Sequence, residues 1–399
     1  MHIAIIGAGQ AGAALAARLR ALGHTGPVTL IGAETTAPYQ RPPLSKGYLL
    51  GEMPLDRLLL RAPDFWAAQD IRLLTGAEVT ALDTTAQTLT HGDKVVHWDQ
   101  VALTTGARVR RLPAAMGGDL PGVHYVRSLS DVDGMAPEFV AGRRVLIVGG
   151  GYIGLEAAAV AAKKGLKVTL IEAAPRILQR VAAPETADWF RALHMNHGVE
   201  LLEGTSLSRL TGQGRVTGAD LTDGGHIACD FAIIGVGILP DTALAEASGL
   251  ALDNGIACDD QGRTSAPGVW AAGDCASFPH GGGRLRLESV PNAIDMAERV
   301  AENMLGAGTS YVPKPWFWSD QYDVKLQIAG LNTGYDRVVV RDGGAARSHW
   351  YYAGDRLLAV DAMNDARAFM IGRRLIEAGR SADPALVADP SADLKSLMG

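Results

Sequence analysis

The sequence predicts an α/β protein in which two copies of a parallel strand–helix unit precede a C-terminal α+β domain. Three observations carry that reading. A segment built as strand, glycine-rich turn, helix and strand opens the chain and recurs near residue 150. Short apolar runs that read as further strands lie on both sides of the second copy. Beyond about residue 308, the alternation of strand and helix gives way to consecutive alternating strands.

The first copy begins with residues 2–6, an apolar run entering Gly7-Ala8-Gly9-Gln10-Ala11-Gly12. An Ala/Leu-rich helix then reaches about Leu22, and residues 28–31 form a second strand leading to Glu34. In the second copy the strand is 144–148 and the turn is Gly149-Gly150-Gly151-Tyr152-Ile153-Gly154. Its helix runs to about Lys164, and its next strand, 167–172, ends on Glu172. The first glycine of such a turn permits the bend, the second lets the backbone approach a pyrophosphate, and the third lets helix pack on strand. A diphosphate would sit on the helix N-terminus, where free N–H groups and the helix dipole favour negative charge. The acid after the next strand accepts hydrogen bonds from ribose hydroxyls. Glu34 lies 22 residues after Gly12 and Glu172 lies 18 after Gly154, near the spacing of about 20 that this role needs. One such turn specifies little. Two, each in full strand–turn–helix–strand–acid context, point to two Rossmann-like domains and two dinucleotides, a hydride donor and a bound flavin.

The domain edges follow from three more strands. Residues 101–107 form a strand ending in small residues, matched about 130 positions later by 231–237, and 269–274 form a strand that meets an acidic turn. The second unit is therefore read as inserted between two crossovers of the first. This gives a discontinuous first dinucleotide-binding domain, 1–107 and 236–308, a second dinucleotide-binding domain, 108–235, and a C-terminal α+β domain, 309–399; the family resemblance given below implies FAD for the first and NADH for the second. In the last, strands are expected at 324–330, 336–341, 347–353 and 356–363, then a helix near 365–378 and a polar tail.

Composition excludes several function classes. A chain of 399 residues suits two to four domains at roughly 100–200 residues each. Lys and Arg total 37 against 43 Asp and Glu, a net charge of −6, and a nucleic-acid partner would need a dense basic face. Apolar residues at 47% and charged ones at 20% exclude disorder as the main state. Cys229, Cys258 and Cys275 are too few and too widely spaced for a disulfide scaffold or a zinc ribbon. His194 and His197 stand three apart in a helical stretch without further ligands, so a solvated helix face is expected and no metal is assigned. No apolar run approaches 18 residues and no cationic leader opens the chain. The expectation is a cytoplasmic protein with reduced thiols and no membrane contact.

Further motifs fall in line with the glycine turns. They are Pro42-Pro43-Leu44-Ser45-Lys46 with Tyr48-Leu49; Leu155-Glu156 directly after the second turn; Ala272-Gly273-Asp274-Cys275; Glu288-Ser289-Val290-Pro291-Asn292-Ala293; and Trp316-Phe317-Trp318-Ser319-Asp320-Gln321. In this order they resemble the FAD-dependent pyridine-nucleotide reductases of the glutathione-reductase fold. More narrowly, they resemble the NADH-dependent ferredoxin reductases of bacterial cytochrome P450 and ring-hydroxylating oxygenase systems, the putidaredoxin reductase type. The resemblance runs from residue 3 to about 365, and no clear match extends beyond about 380.

That resemblance implies a ferredoxin–NAD(+) reductase, in which NADH passes a hydride to FAD and single electrons go on to a [2Fe-2S] ferredoxin. Gly7, Gly9, Ala11, Gly12 and Glu34 would hold FAD, with Arg41, Val79, Arg127, Asp274 and Val290 as further cofactor contacts. Gly149, Gly151, Ile153, Gly154 and Glu172 would hold NADH, and Gly237 completes the cofactor-binding set. Lys46 would lie beside the reacting edge of the isoalloxazine, Glu156 would meet the nicotinamide carboxamide, and Trp318 would lie by the flavin on the partner's docking face. These three are the catalytic candidates. One departure is Glu34, where some relatives carry an Asp one position earlier. A monomer or weak homodimer is implied.

Elementary electrostatics accords with these roles. A helix N-terminus at Pro291-Asn292 would stabilise negative charge on a reduced flavin by up to about 2 kcal/mol. Pro suits that first turn because its missing N–H would have no helical partner there. A Lys46 ammonium against Glu156 adds little net charge and fixes both groups. Two other readings stay open. An NADH oxidase or disulfide reductase is disfavoured because residues 36–50 contain no cysteine to relay electrons. An NADH-responsive interaction protein resembling apoptosis-inducing factor is disfavoured by Trp318 and by the missing organellar leader.

Overall fold

A computed structural model describes residues 1–398. The chain forms two compact units, each assembled from three stretches. The first contains Met1–Gln40, Leu55–Arg108 and Ile238–Pro315; the second contains Arg41–Pro54, Val109–Gly237 and the chain from Trp316 onward.

The first unit is built on a five-stranded sheet in the order Val269–Ala271, Gln100–Leu103, Ile3–Ile6, Val28–Ile31, Ile71–Leu74. All its pairings are parallel, with Ile6 beside both Ile31 and Leu103. The three strands nearest the centre are almost wholly buried, which is why they read as continuous apolar runs without alternation. Strand order reverses at Ile3–Ile6, and the crevice at such a reversal is where an open α/β sheet takes its ligand. The helix Gln10–Ala21 leaves from that point and pairs with Val290–Met304 through Arg18 and Glu302, 2.6 Å apart.

The second unit repeats this plan. Its parallel sheet runs Glu200–Glu203, Lys167–Glu172, Arg144–Val148, Phe231–Ile234, Val123–His124, and the helix Tyr152–Lys163 follows the central strand. The duplication is longer than the sequence reading recognised. In each unit a three-stranded antiparallel meander sits between the third and fourth parallel strands, counted along the chain from the strand that enters the glycine turn. These meanders are Val79–Asp83, Thr88–His91 and Lys94–His97 in the first unit, and Leu207–Thr211, Gly218–Leu221 and His226–Ala228 in the second. Their strands are short and largely exposed, so they carry little apolar periodicity.

An antiparallel sheet completes the second unit, in the order Trp316–Gln321, Val324–Gly330, Arg356–Met363, Ala346–Ala353, Arg337–Gly343. The helix Ala366–Glu377 packs on it through Ala368, Phe369, Ile371 and Leu375. The expected strands are present within two residues, and Trp316–Gln321 adds one that the aromatic segment had concealed. The expected polar tail is corrected. Pro384–Ala388 is helical, and Val387, Leu394 and Leu397 join the core of this sheet. Buried Arg341 holds the segment by donating to the carbonyls of Val387, Asp389, Pro390 and Ala392.

The helix Pro184–Asn196 is tied to the same sheet by buried polar groups. Thr186 Oγ1 donates to Asp361 Oδ2 and lies against His349 Nδ1, both at 2.8 Å. His194 on this helix is fully buried, which corrects the expectation of a solvated histidine pair; His197 alone is exposed. Among the described residues, no helix is long and apolar enough to cross a membrane, and no group of three or more potential ligands is placed to hold a metal ion.

Candidate active site

The two glycine turns obey the same steric rules. Gly7 and Gly149 have φ of +112° and +110°, and a Cβ there would lie 2.2 Å from Thr104 O and 2.4 Å from Gly235 O. A Cβ on Gly12 or Gly154 would lie 2.0 Å from the carbonyl oxygen of Gly7 or Gly149. The outer glycines are thus required by the protein's own backbone. The middle ones are not, since nothing lies within 4 Å of a Cβ built on Gly9 or Gly151. Each caps its helix without a side-chain hydrogen bond, whereas Ser289 caps Val290–Met304 by accepting from the Asn292 N–H. Two helix N-termini with bare N–H groups and open space above a glycine fit two diphosphates.

The remaining first-unit candidates surround the first turn. A Cβ on Gly273 would come within 2.9 Å of Ala11 Cβ and reach Ala293 at 3.9 Å. Asp274, Ala11 and the helix begun by Val290 therefore converge. Glu34 accepts from Tyr39 OH at 2.5 Å, and its carbonyl accepts from Gly76 N–H three residues before Val79.

In the second unit, both oxygens of Glu172 face backbone. Oε2 accepts from Gly150 N–H at 2.6 Å and Oε1 from Ala174 N–H at 2.7 Å. This fixes the carboxylate at the mouth of its turn, against Gly150. Ile153 is 45% exposed on the first helical turn, an aliphatic surface next to Gly151. Gly237 has φ +104° and accepts from Arg110 N–H, and Arg41 donates to the carbonyl of Arg127 at 2.7 Å.

Lys46 and Glu156 are brought together as expected. Glu156 is buried on the Ala-rich helix Tyr152–Lys163, with Lys46 Nζ 3.0 Å from its Oε1. Ser45, at the end of the turn Pro42–Ser45, donates to Oε2 at 2.6 Å, and Ser319 on strand Trp316–Gln321 donates to Oε1 at 2.7 Å. Asp320 lies 3.9 Å from Lys46 on the other side. Burial pushes the Glu156 carboxyl up, opposed first by the Lys46 charge and then by the two serine hydroxyls. Three elements distant in sequence thus converge on one carboxylate. Trp318, half-buried next to Ser319, packs its ring 5.5 Å from Trp316.

Residues 1–297 match the family model described as pyridine nucleotide-disulphide oxidoreductase. The chain belongs to this family. Residues 316–398 match the reductase C-terminal model, which extends the likeness past the point where the sequence reading ended. The chain is 40% identical to putidaredoxin reductase CamA of Pseudomonas putida over 408 residues, covering 100% of this chain and 96% of that protein. It is 42% identical to the ferredoxin–NAD(P)(+) reductase fdr of a Sphingomonas species, covering 99% and 97%. The crystal structure of the covalent putidaredoxin reductase–putidaredoxin complex matches with a TM-score of 0.96 at 39% identity, over 100% of this chain and 98% of that one. This pyridine nucleotide-disulphide oxidoreductase uses FAD and NAD(H).

The disulphide in the family description has no counterpart at this site. Among the described residues the three cysteines are free and buried. Cys275 lies 3.5 Å from the carbonyls of Leu103 and Ala272, while burial pushes Cys229 up to about 11 and Cys258 up to about 12. None offers a thiolate near neutral pH.

The site also contains residues to which the sequence reading gave no role: Ser45, Ser319, Gln321 and His194. The signal available was the two-residue alternation of 316–321, which places Phe317, Ser319 and Gln321 on one strand face.

Proposed function

We propose that the protein is an NADH:ferredoxin oxidoreductase that passes electrons from NADH through FAD to a [2Fe-2S] ferredoxin serving a cytochrome P450 or ring-hydroxylating oxygenase. The observation that carries this reading is the buried Lys46–Glu156 pair in a chain with two bare glycine-turn helices and no accessible thiol. FAD, when bound, converts one two-electron hydride transfer into two single-electron transfers. In the first unit, Gly7, Gly9, Ala11, Gly12, Glu34, Val79, Asp274 and Val290 are assigned to FAD. In the second, Gly149, Gly151, Ile153, Gly154 and Glu172 are assigned to NADH, with Arg41, Lys46, Arg127 and Gly237 as further cofactor contacts. Functionally the chain divides into an FAD part, 1–107 with 236–308, an NADH part, 108–235, and a C-terminal part from 309. The three free, buried cysteines suit a cytoplasmic location, and a monomer or weak homodimer is what the family resemblance implies.

The chain's own residues supply recognition. Glu156 accepts from the carboxamide of nicotinamide, and Lys46 keeps that carboxylate charged and in place. Glu172 accepts the adenosine ribose hydroxyls and repels a 2′-phosphate. Catalytic efficiency is expected to favour NADH over NADPH by at least about tenfold, or about 1.4 kcal/mol. The test is anaerobic stopped flow followed by a cytochrome c assay with and without a [2Fe-2S] ferredoxin. NADH should bleach the visible flavin band, and cytochrome c reduction should depend on the ferredoxin. Fast turnover with oxygen or a disulphide and no response to ferredoxin would sink the proposal.

Trp318→Ala is expected to raise the apparent KM for ferredoxin by about 30-fold, the loss of an aromatic contact worth about 2 kcal/mol. Flavin reduction by NADH should persist. Were Trp318 only packing for Trp316, the variant would instead lose about 3–5 kcal/mol of stability. Melting temperature and flavin content measured beside the kinetics separate these outcomes.

A further inference from the structure

A buried polar chain leads away from Glu156. Ser319 Oγ, which donates to Glu156, receives Gln321 Nε2–H at 3.2 Å. Gln321 Oε1 lies 2.8 Å from His194 Nε2, and Tyr322 OH lies 3.1 Å from His194 Nδ1. Ser319, Gln321 and His194 are all buried. With its amide nitrogen on Ser319, Gln321 must accept through its oxygen. His194 then carries its proton on Nε2 and accepts from Tyr322 on Nδ1. Burial pushes His194 down to about 4, so the imidazole is neutral near pH 7 and keeps this tautomer. Every donor in the chain points toward the carboxylate, and such alignment strengthens each bond in turn.

The far end of the chain is held in an uncommon geometry. Tyr322 lies in the tight turn that pairs Gln321 with Val324, and its φ is +57°. A bulky side chain adopts the left-handed region only where its surroundings fix it. Here the ring stacks on His197, 3.6 Å away and 13° from parallel, while the hydroxyl meets His194.

We propose that His194 and Gln321 are positioning residues for the NADH half-reaction: through Ser319 they keep a hydroxyl donor on Glu156, holding that carboxylate ionised and fixed against Lys46. This rests on the reading of Glu156 as the group that meets the nicotinamide. The charged and titratable groups around Glu156 are Lys46, Asp320 beyond it, and Tyr152 one turn earlier on its own helix. Burial favours the protonated carboxyl, so loss of a donor moves its titration to higher pH.

The experiment follows the Glu156 carboxyl by isotope-edited infrared titration of glutamate-labelled holoenzyme, assigned by difference against Glu156→Gln, beside the pH profile of NADH-dependent flavin reduction. Gln321→Leu, His194→Leu and Ser319→Ala are each expected to raise the titration midpoint and the acid limb of the profile by about one pH unit. His194→Gln keeps an N–H donor for Gln321 and is expected to hold the wild-type midpoint. A packing role predicts the reverse ranking, with leucine the better filler. Unmoved midpoints in Ser319→Ala and whichever leucine variants fold, or His194→Gln moving as far as His194→Leu, would overturn the proposal. If Glu156→Gln itself reduces flavin at the wild-type rate, the reading of Glu156 fails instead.

Discussion

Lys46→Met is expected to slow flavin reduction by NADH at least about 100-fold near pH 7, equivalent to about 2.7 kcal/mol of barrier. Glu156 is 2% exposed, and its countercharge is Lys46 at 3.0 Å. Removing one partner of a buried ion pair leaves the other charged and unpaired, at a cost of about 3–5 kcal/mol. The carboxyl escapes part of that cost by taking up a proton. It then presents an O–H where the nicotinamide carboxamide needs an acceptor. Ser45 and Ser319 still donate to it, but two neutral hydroxyls do not replace an ammonium.

The pH dependence has a definite sign. Burial already raises the Glu156 carboxyl in the wild type, so the folded state holds its proton to higher pH than the unfolded chain, which ionises near about 4.3. Stability from this group is therefore lost as pH rises through the window between the two values, and is constant above it. Without Lys46 the window extends upward. The melting-temperature deficit of Lys46→Met should be smallest near pH 4 and grow toward neutral pH, while the rate deficit shrinks as pH rises and Glu156 ionises. A deficit equal at every pH, or a rate within threefold of wild type at pH 7, would mean that the pair does not govern this carboxyl.

The sequence makes legible those features whose physics is local. Residues 144–148 and 356–363 read as strands because buried strands are continuous apolar runs or carry a two-residue alternation. Both glycine turns are visible because backbone geometry at Gly7 and Gly149 excludes a side chain. The meander containing Lys94–His97 is not, because its strands bury too little to leave a pattern. Leu394 and Leu397 look like parts of a polar tail until Arg341, more than fifty positions earlier, anchors the segment that carries them. Glu156 as a site residue is suggested only by family likeness. That Ser45, Ser319 and Gln321 build its surroundings depends on the register of one strand against one helix, a tertiary fact with no sequence signature.

The middle glycines should separate the two nucleotides cleanly. Gly9 and Gly151 have extended backbone, with φ of −93° and −80°, and open space where a side chain would project. Valine is therefore tolerated by the protein itself at both positions. What it obstructs is the close approach of a diphosphate to the bare helix N-terminus. Gly151→Val is expected to stay folded and flavin-loaded while NAD+ and NADH bind at least about 100-fold more weakly, about 2.7 kcal/mol. Gly9→Val is expected to be isolated without FAD, yet to bind NAD+ with near wild-type affinity through the second turn. Gly12→Ala and Gly154→Ala form the contrast. Their Cβ atoms would sit 2.0 Å from a backbone oxygen, so these variants should fail by unfolding their own unit. Flavin content, NAD+ titration calorimetry and thermal melting of the four proteins test the assignment. If Gly9→Val keeps its flavin and Gly151→Val loses it, the two turns have been given the wrong nucleotides; if both valine variants bind both nucleotides normally, neither turn is a dinucleotide site.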